Sequence, residues 1–180
     1  CYQNLPVIIV GVGSGLAYSN LGTTHHSIED IGVLNPISNL NIICPADANE
    51  LRVLLPQILR LKKPVYLRMG KKNEKKIYNK NCKSKLGEPS IIQKGQNICI
   101  FGTGNILHNT IEATSNLQVK IRPQIVNVHT IKPINKKKII NFLKKFKKII
   151  ILEEHVEKGG LGSIIMKISE EKKLQNIFLN

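Results

Sequence analysis

The sequence predicts an α/β protein made of two three-layer-type units, each with a mainly parallel sheet. Three observations predict it. Short apolar runs rich in β-branched residues alternate with amphipathic helical stretches. The alternation stops over residues 71–94 and then resumes. A chain of 180 residues, 42% hydrophobic and 22% charged, is enough for one generous domain or two small ones.

Taken in order, Leu5 to Val12 is an apolar run that ends in Gly11-Val12-Gly13-Ser14-Gly15, the pattern of a buried parallel strand entering a loop. Ser27 is placed to cap a helix with Asp30 as its third residue and Ile28, Ile31, Val33 and Leu34 on its apolar side, limited by Pro36. Asn41 to Cys44 reads as a second buried strand. Asp47-Ala48-Asn49-Glu50 is a capping box, and Leu51, Leu54, Leu55, Ile58 and Leu59 give the helix it opens one apolar face. Pro56 should bend or break that helix. Pro64 to Arg68 is a third strand.

Residues 71–94 contain Gly87, Pro89 and little periodic apolar character, and read as a Lys-rich linker between a unit at 1–70 and a unit at 95–180. The second unit alternates strands at Ile98–Phe101, Ile125–Val128 and Ile149–Glu153 with helices at Asn105–Ser115, Asn135–Phe146 and Leu161–Glu171.

Composition excludes several function classes. No apolar run approaches the ~20 residues of a membrane-spanning helix, and no signal pattern precedes the first strand, so a cytoplasmic chain without a membrane partner is expected. Cys1, Cys44, Cys82 and Cys99 form no CxxC pair, and Cys44 and Cys99 lie in apolar runs as small buried hydrophobes. The net charge of +15 is local: 71–94 hold eight Lys against two Glu, and 135–148 hold seven Lys and no acid. With four Arg and no Trp, this is not the mixture of guanidinium forks and stacking rings that reads nucleic acid. Ile, Lys and Asn make up 69 of 180 residues, a bias expected of AT-rich codons on solvated surfaces.

The informative segment is Gly11 to Asp47. It sets His25 and His26 in a loop behind a strand and a Gly-rich turn, at the carboxyl edge of a parallel sheet, where α/β proteins bind their ligands. Taken alone, the pair is compatible with a surface or capping feature as well as with catalysis.

The run Gly22-Thr23-Thr24-His25-His26-Ser27-Ile28-Glu29-Asp30, then Asn39-Leu40 and Pro45-Ala46-Asp47-Ala48-Asn49-Glu50, resembles the pyrimidine-binding domain of the transketolase family. Thr130-Ile131-Lys132-Pro133-Ile134, Glu153-Glu154-His155 and Gly159-Gly160-Leu161-Gly162-Ser163 resemble that family's C-terminal domain. The resemblance covers essentially the whole chain. It implies a truncated pyrimidine-binding fold joined to a C-terminal domain, and transfer of a two-carbon ketol unit between sugar phosphates by thiamine diphosphate.

Carried over residue by residue, the resemblance makes His25 the catalytic histidine between the cofactor's aminopyrimidine and the substrate carbonyl. Imidazoles suit that role because they titrate near neutral pH. It makes His26 a supporting substrate contact, sets Ser14 in the substrate-side loop, and puts Arg68 at the anionic end of the sugar phosphate, where a guanidinium fork suits phosphate oxygens. Departures in the first loop and at Leu21 leave the donor sugar open. A glutamate that activates the cofactor belongs upstream of Cys1, and the Mg2+ or Ca2+ and diphosphate site belongs to another domain. The chain is therefore expected to need its N-terminal portion, a second copy, or an N-terminal transketolase subunit. A deoxyxylulose-phosphate synthase, a 2-oxo-acid dehydrogenase β-subunit and a non-catalytic relative are the alternatives.

The remaining motifs have plainer readings. Gly102-Thr103-Gly104 lacks the third glycine of a dinucleotide turn and reads as a tight turn. On a strand, Glu153 and His155 share a face while Glu154 points away, so no metal site is expected in this chain. Lys136 to Lys148 is expected to pack Ile139, Phe142, Leu143 and Phe146 on a sheet rather than on a membrane.

Overall fold

The computed structural model describes residues 1–179. The first sheet is built from β1 (Ile8–Val12), β2 (Asn41–Ile43), β3 (Val65–Met69) and β7 (Thr130–Lys132), in the order β1-β3-β2-β7. β1, β3 and β2 are parallel, with Gly11 opposite Arg68 and Ile42 opposite Tyr66, while β7 runs antiparallel to β2. The second sheet is built from β4 (Ser90–Gln93), β5 (Ile98–Gly102), β6 (Gln124–Asn127), β8 (Lys148–Leu152) and β9 (Ile177–Leu179), in the order β4-β6-β5-β8-β9. Only β4 is antiparallel in it. The helices are α1 (Asp30–Leu34), α2 (Ala48–Leu61), α3 (Ile106–Ser115), α4 (Lys136–Lys145) and α5 (Leu161–Glu171).

The largest apolar cluster joins both units: Ile31, Leu40, Ile42 and Cys44 pack with Phe101, Val128, Ile131, Ile139, Leu161 and Ile165. Phe101 meets Phe142 edge to face at 5.8 Å. α4 buries Ile139, Leu143 and the adjoining Phe146 against this core, so its lysines form a solvent face. Cys44 and Cys99 are fully buried, and burial pushes each thiol up to about 12.

Four expectations need correction. β1 is an edge strand, and Ile9, Val10 and Val12 are half or more exposed instead of buried, because only β3 pairs with it. Ser27 does not cap α1, which starts at Asp30 after Glu29: the Ser27 backbone is engaged with Gly15 in an isolated antiparallel bridge. α2 runs unbroken past Pro56, where the helix faces solvent and water can satisfy the carbonyl that lacks its N–H partner. The Lys-rich segment at 71–94 is not a bare linker. Its last residues form β4, and Ile77, Tyr78, Ser84 and Leu86 pack against both units.

Candidate active site

β1 and β3 end side by side, so the loop after β1 and the strap after β3 leave the sheet together. The Ser14 N–H donates to the Met69 carbonyl at 3.0 Å and the Gly13 N–H to the Gly70 carbonyl at 3.3 Å. Gly15 then pairs with Ser27 in both directions, at 2.9 and 3.0 Å. Gly15 adopts φ +61°, and a Cβ there would stand 2.4 Å from the Glu154 side chain, so both backbone and space require glycine. That bridge anchors the arch of residues 16–26. His25 ends a 3-10 turn on the arch and is exposed, its Nδ1 3.0 Å from the Thr24 hydroxyl. His26 is half-buried, and its Nε2 has no hydrogen-bond partner among the described residues.

Under the arch lies a buried ion pair. Arg68 is 2% exposed, and its Nε donates to the Asp30 carboxylate at 2.8 Å. One terminal nitrogen donates to the carbonyls of Ser27 (2.9 Å) and Glu154 (3.0 Å). The Tyr66 hydroxyl donates to the same Asp30 oxygen at 2.7 Å. Burial pushes the Asp30 carboxyl up, but the Arg68 hydrogen bond and charge together with Tyr66 outweigh it, and Asp30 is held below the usual carboxylate range.

Two residues expected as substrate contacts are engaged within the fold. Arg68 closes a clamp joining β3, the arch and the second unit through its Nε and one terminal nitrogen. Ser14 is 4% exposed, in the base of the loop, because its N–H is needed to hold that loop to β3. Exposed cations beside the arch include Lys71 and Lys72. They border a concavity of about 350 Å3 with Leu51 and Met69 and another of about 390 Å3 with Leu16, Ser19 and Glu154. Lys71 Nζ stands 5.7 Å from the Tyr18 ring centroid.

In the second unit three consecutive residues after β8 have separate tasks. Glu153 accepts from the N–H groups of Leu161 (2.6 Å) and Gly162 (2.8 Å), so a carboxylate caps the start of α5. The Glu154 carboxyl lies against Gly15, one of its oxygens is buried without a partner among the described residues, and burial raises its pKa despite the nearby Arg68 charge. His155 Nε2 accepts from the Gly32 N–H at 3.0 Å, and the Val156 N–H donates to the Ile28 carbonyl at 2.8 Å.

Behind the strap, the Asp47 capping box does more than start a helix. Asp47 accepts from the Glu50 N–H at 2.8 Å and from the N–H groups of Ile77 and Tyr78 at 2.6 and 2.7 Å. Glu50, fully buried, accepts from the Ala46 N–H, the Ser84 hydroxyl and the Asn127 amide. The sequence marked Asp47 and Glu50 only as helix-capping residues; their strap and β6 partners lie 30 and 77 positions away.

The family model for the transketolase C-terminal domain matches residues 87–178, just over half of the chain, and that for the transketolase pyrimidine-binding domain matches residues 1–76. The chain belongs to the transketolase family. Among curated relatives, this transketolase-family chain is 33% identical over 172 residues to an apulose-4-phosphate transketolase subunit of Actinobacillus succinogenes, covering 95% of this chain and 55% of the relative. It is 31% identical over 163 residues to a 6-deoxy-6-sulfo-D-fructose transketolase subunit of a Clostridium species, covering 90% and 51%. It is also 31% identical over 180 residues to the 1-deoxy-D-xylulose-5-phosphate synthase of Halothermothrix orenii, of which it covers 28%. The chain thus spans about half the length of its subunit-type relatives. A solved split-gene transketolase, described as an inactive beta4 tetramer, shares the fold with a TM-score of 0.84 at 24% identity, over the whole of this chain and 60% of that one.

Proposed function

We propose that this chain is the C-terminal part of a transketolase-type transferase that moves a two-carbon ketol unit from a ketose phosphate to an aldose phosphate, and that it is inactive without its N-terminal portion or a partner subunit. The observation that carries this reading is an exposed imidazole, His25, on an arch anchored from both sides at the carboxyl edge of a parallel sheet. The relatives named as transketolase subunits support it. No helix among the described residues is long and apolar enough to cross a membrane; the reading places the enzyme in the cytoplasm, as a dimer or with an N-terminal subunit.

The residues present fit the pyrimidine end of thiamine diphosphate. His25 has its Nδ1 on Thr24 and leaves Nε2 without a partner among the described residues, and His26 beside it has an unpaired ring nitrogen. The diphosphate and its Mg2+ or Ca2+ belong, on this reading, to the partner domain. When bound, the cofactor supplies a nucleophilic carbon for the ketose carbonyl. Protonated His25 would give its Nε2 proton to the carbonyl oxygen as negative charge gathers there, and the neutral ring would then take the proton of the neighbouring hydroxyl as the carbon–carbon bond breaks and that carbon leaves as an aldehyde. Lys71 and Lys72, exposed beside the arch, supply further cations for the substrate phosphate besides Arg68.

The match to 1-deoxyxylulose-5-phosphate synthase favours a second reading, in which pyruvate is the donor. Incubating the complete assembly with either a ketose phosphate or pyruvate, each with an aldose phosphate, separates the two. A ketose extended by two carbons only from the sugar donor supports the transketolase reading. Carbon dioxide and a deoxyketose phosphate from pyruvate would replace it.

A further inference from the structure

The carboxyl edge of the second sheet meets the arch; its amino edge lies a five-residue strand away, about 13 Å at ~3.3 Å per residue. There, where β5, β6 and β8 begin, an open concavity of about 720 Å3 is lined by Lys94, Lys145 and Lys147 and by no carboxylate. Among the described residues none of these three lysines is in an ion pair. The Phe146 ring, 3% exposed, forms an apolar wall, with the Lys145 ammonium 4.9 Å from its centroid.

The shape of this hollow is built in. A Cβ on Gly95 would fall 2.1 Å from the Pro123 carbonyl carbon and 2.3 Å from the Gln124 nitrogen, so only glycine lets the turn after Lys94 press on the start of β6. The Gln96 N–H fastens that turn to the Arg122 carbonyl at 3.1 Å. Gln124 lines the hollow at 2% exposure, and its Nε2 has no hydrogen-bond partner among the described residues. A buried amide left without an acceptor is costly. The three charged groups that line the same hollow are donors too, so what it lacks is an anionic acceptor.

We propose that this hollow binds the phosphoryl group of a small molecule, at a site separate from the transfer reaction. Lys94, Lys145 and Lys147 match a dianion, the Gln124 amide is the fixed donor, and Phe146 accommodates the organic part. Free phosphate and a phosphate monoester share this chemistry.

The test is isothermal titration calorimetry on the full-length protein in its complete assembly, at constant ionic strength, with inorganic phosphate and separately with glycerol 3-phosphate. A saturable component is expected that weakens about tenfold or more in K145Q/K147Q. The same component should stay within about twofold in K137Q/K167Q, which removes equal charge from other exposed positions on α4 and α5. Q124L, which exchanges the unpaired amide for an apolar side chain of similar size, should keep the thermal midpoint and weaken the same component. Tighter binding of the ester identifies an organic phosphate as the ligand; equal binding identifies the free ion. A component that survives K145Q/K147Q, an equal loss in both double variants, or no saturable binding by either probe overturns the proposal.

Discussion

A guanidinium buried to 2% exposure persists only where its charge and donors are matched, and Arg68 is matched by the Asp30 carboxylate and two carbonyls. Removing one partner leaves the other charge buried, so Arg68→Met should cost about 3–5 kcal/mol in urea unfolding. The two carboxyls of the clamp depend on pH in opposite senses. Asp30 lies below its ordinary value in the fold, so its contribution is present above pH 3.8 and lost as the pH falls through the lower folded value. Glu154 lies above its ordinary value, so its contribution is present below pH 4.5 and lost as the pH rises through the raised folded value. Glu154→Gln should therefore be at least as stable as the wild type at pH 7, with no gain at pH 4; a destabilised variant at pH 7 would show that the carboxylate form is the one the fold needs. None of this was legible in the sequence, because the Arg68 clamp closes on a carbonyl 86 positions away.

At the scale of elements, the long strands and helices were legible because their apolar periods are strong: α5 spans Leu161–Glu171 as the pattern predicts, β1 falls within its apolar run, and β3, β5 and β8 lie one residue off theirs at one or both ends. β4, β7 and β9 were not. Each has three or four residues, and segments such as Ser90–Gln93 and Thr130–Lys132 show no period until an antiparallel or edge partner is supplied. The Asp47 box was legible as a helix start but not as the anchor of the strap that carries Lys71. Asp47→Ala removes one helix cap and strands two strap N–H groups, a loss of about 2–4 kcal/mol. Hydrogen exchange at Ile77 and Tyr78 should accelerate in that variant while β5 amides stay protected in step with global stability. Unchanged exchange would mean that the strap is held by its apolar contacts alone. Lys71→Ala, with the strap intact, should raise the KM for a sugar phosphate about tenfold or more with a smaller effect on kcat, read by steady-state kinetics.

At the scale of the whole molecule, the two units are one body. β7, from the second, completes the first sheet; Arg68 and His155 tie the units across the arch; and one apolar cluster spans both. The order of motifs revealed the family, because several separated segments had to agree, whereas the docking of the units depends on contacts that no local pattern encodes. On the proposed function, what the molecule brings to the reaction is His25, on the arch that the Gly15–Ser27 bridge anchors. The most direct test is turnover of two-carbon transfer by the complete assembly, comparing wild type with His25→Ala. The account predicts a fall of about 10²- to 10⁴-fold with unchanged circular dichroism and assembly. Turnover that His25→Ala leaves untouched would contradict it.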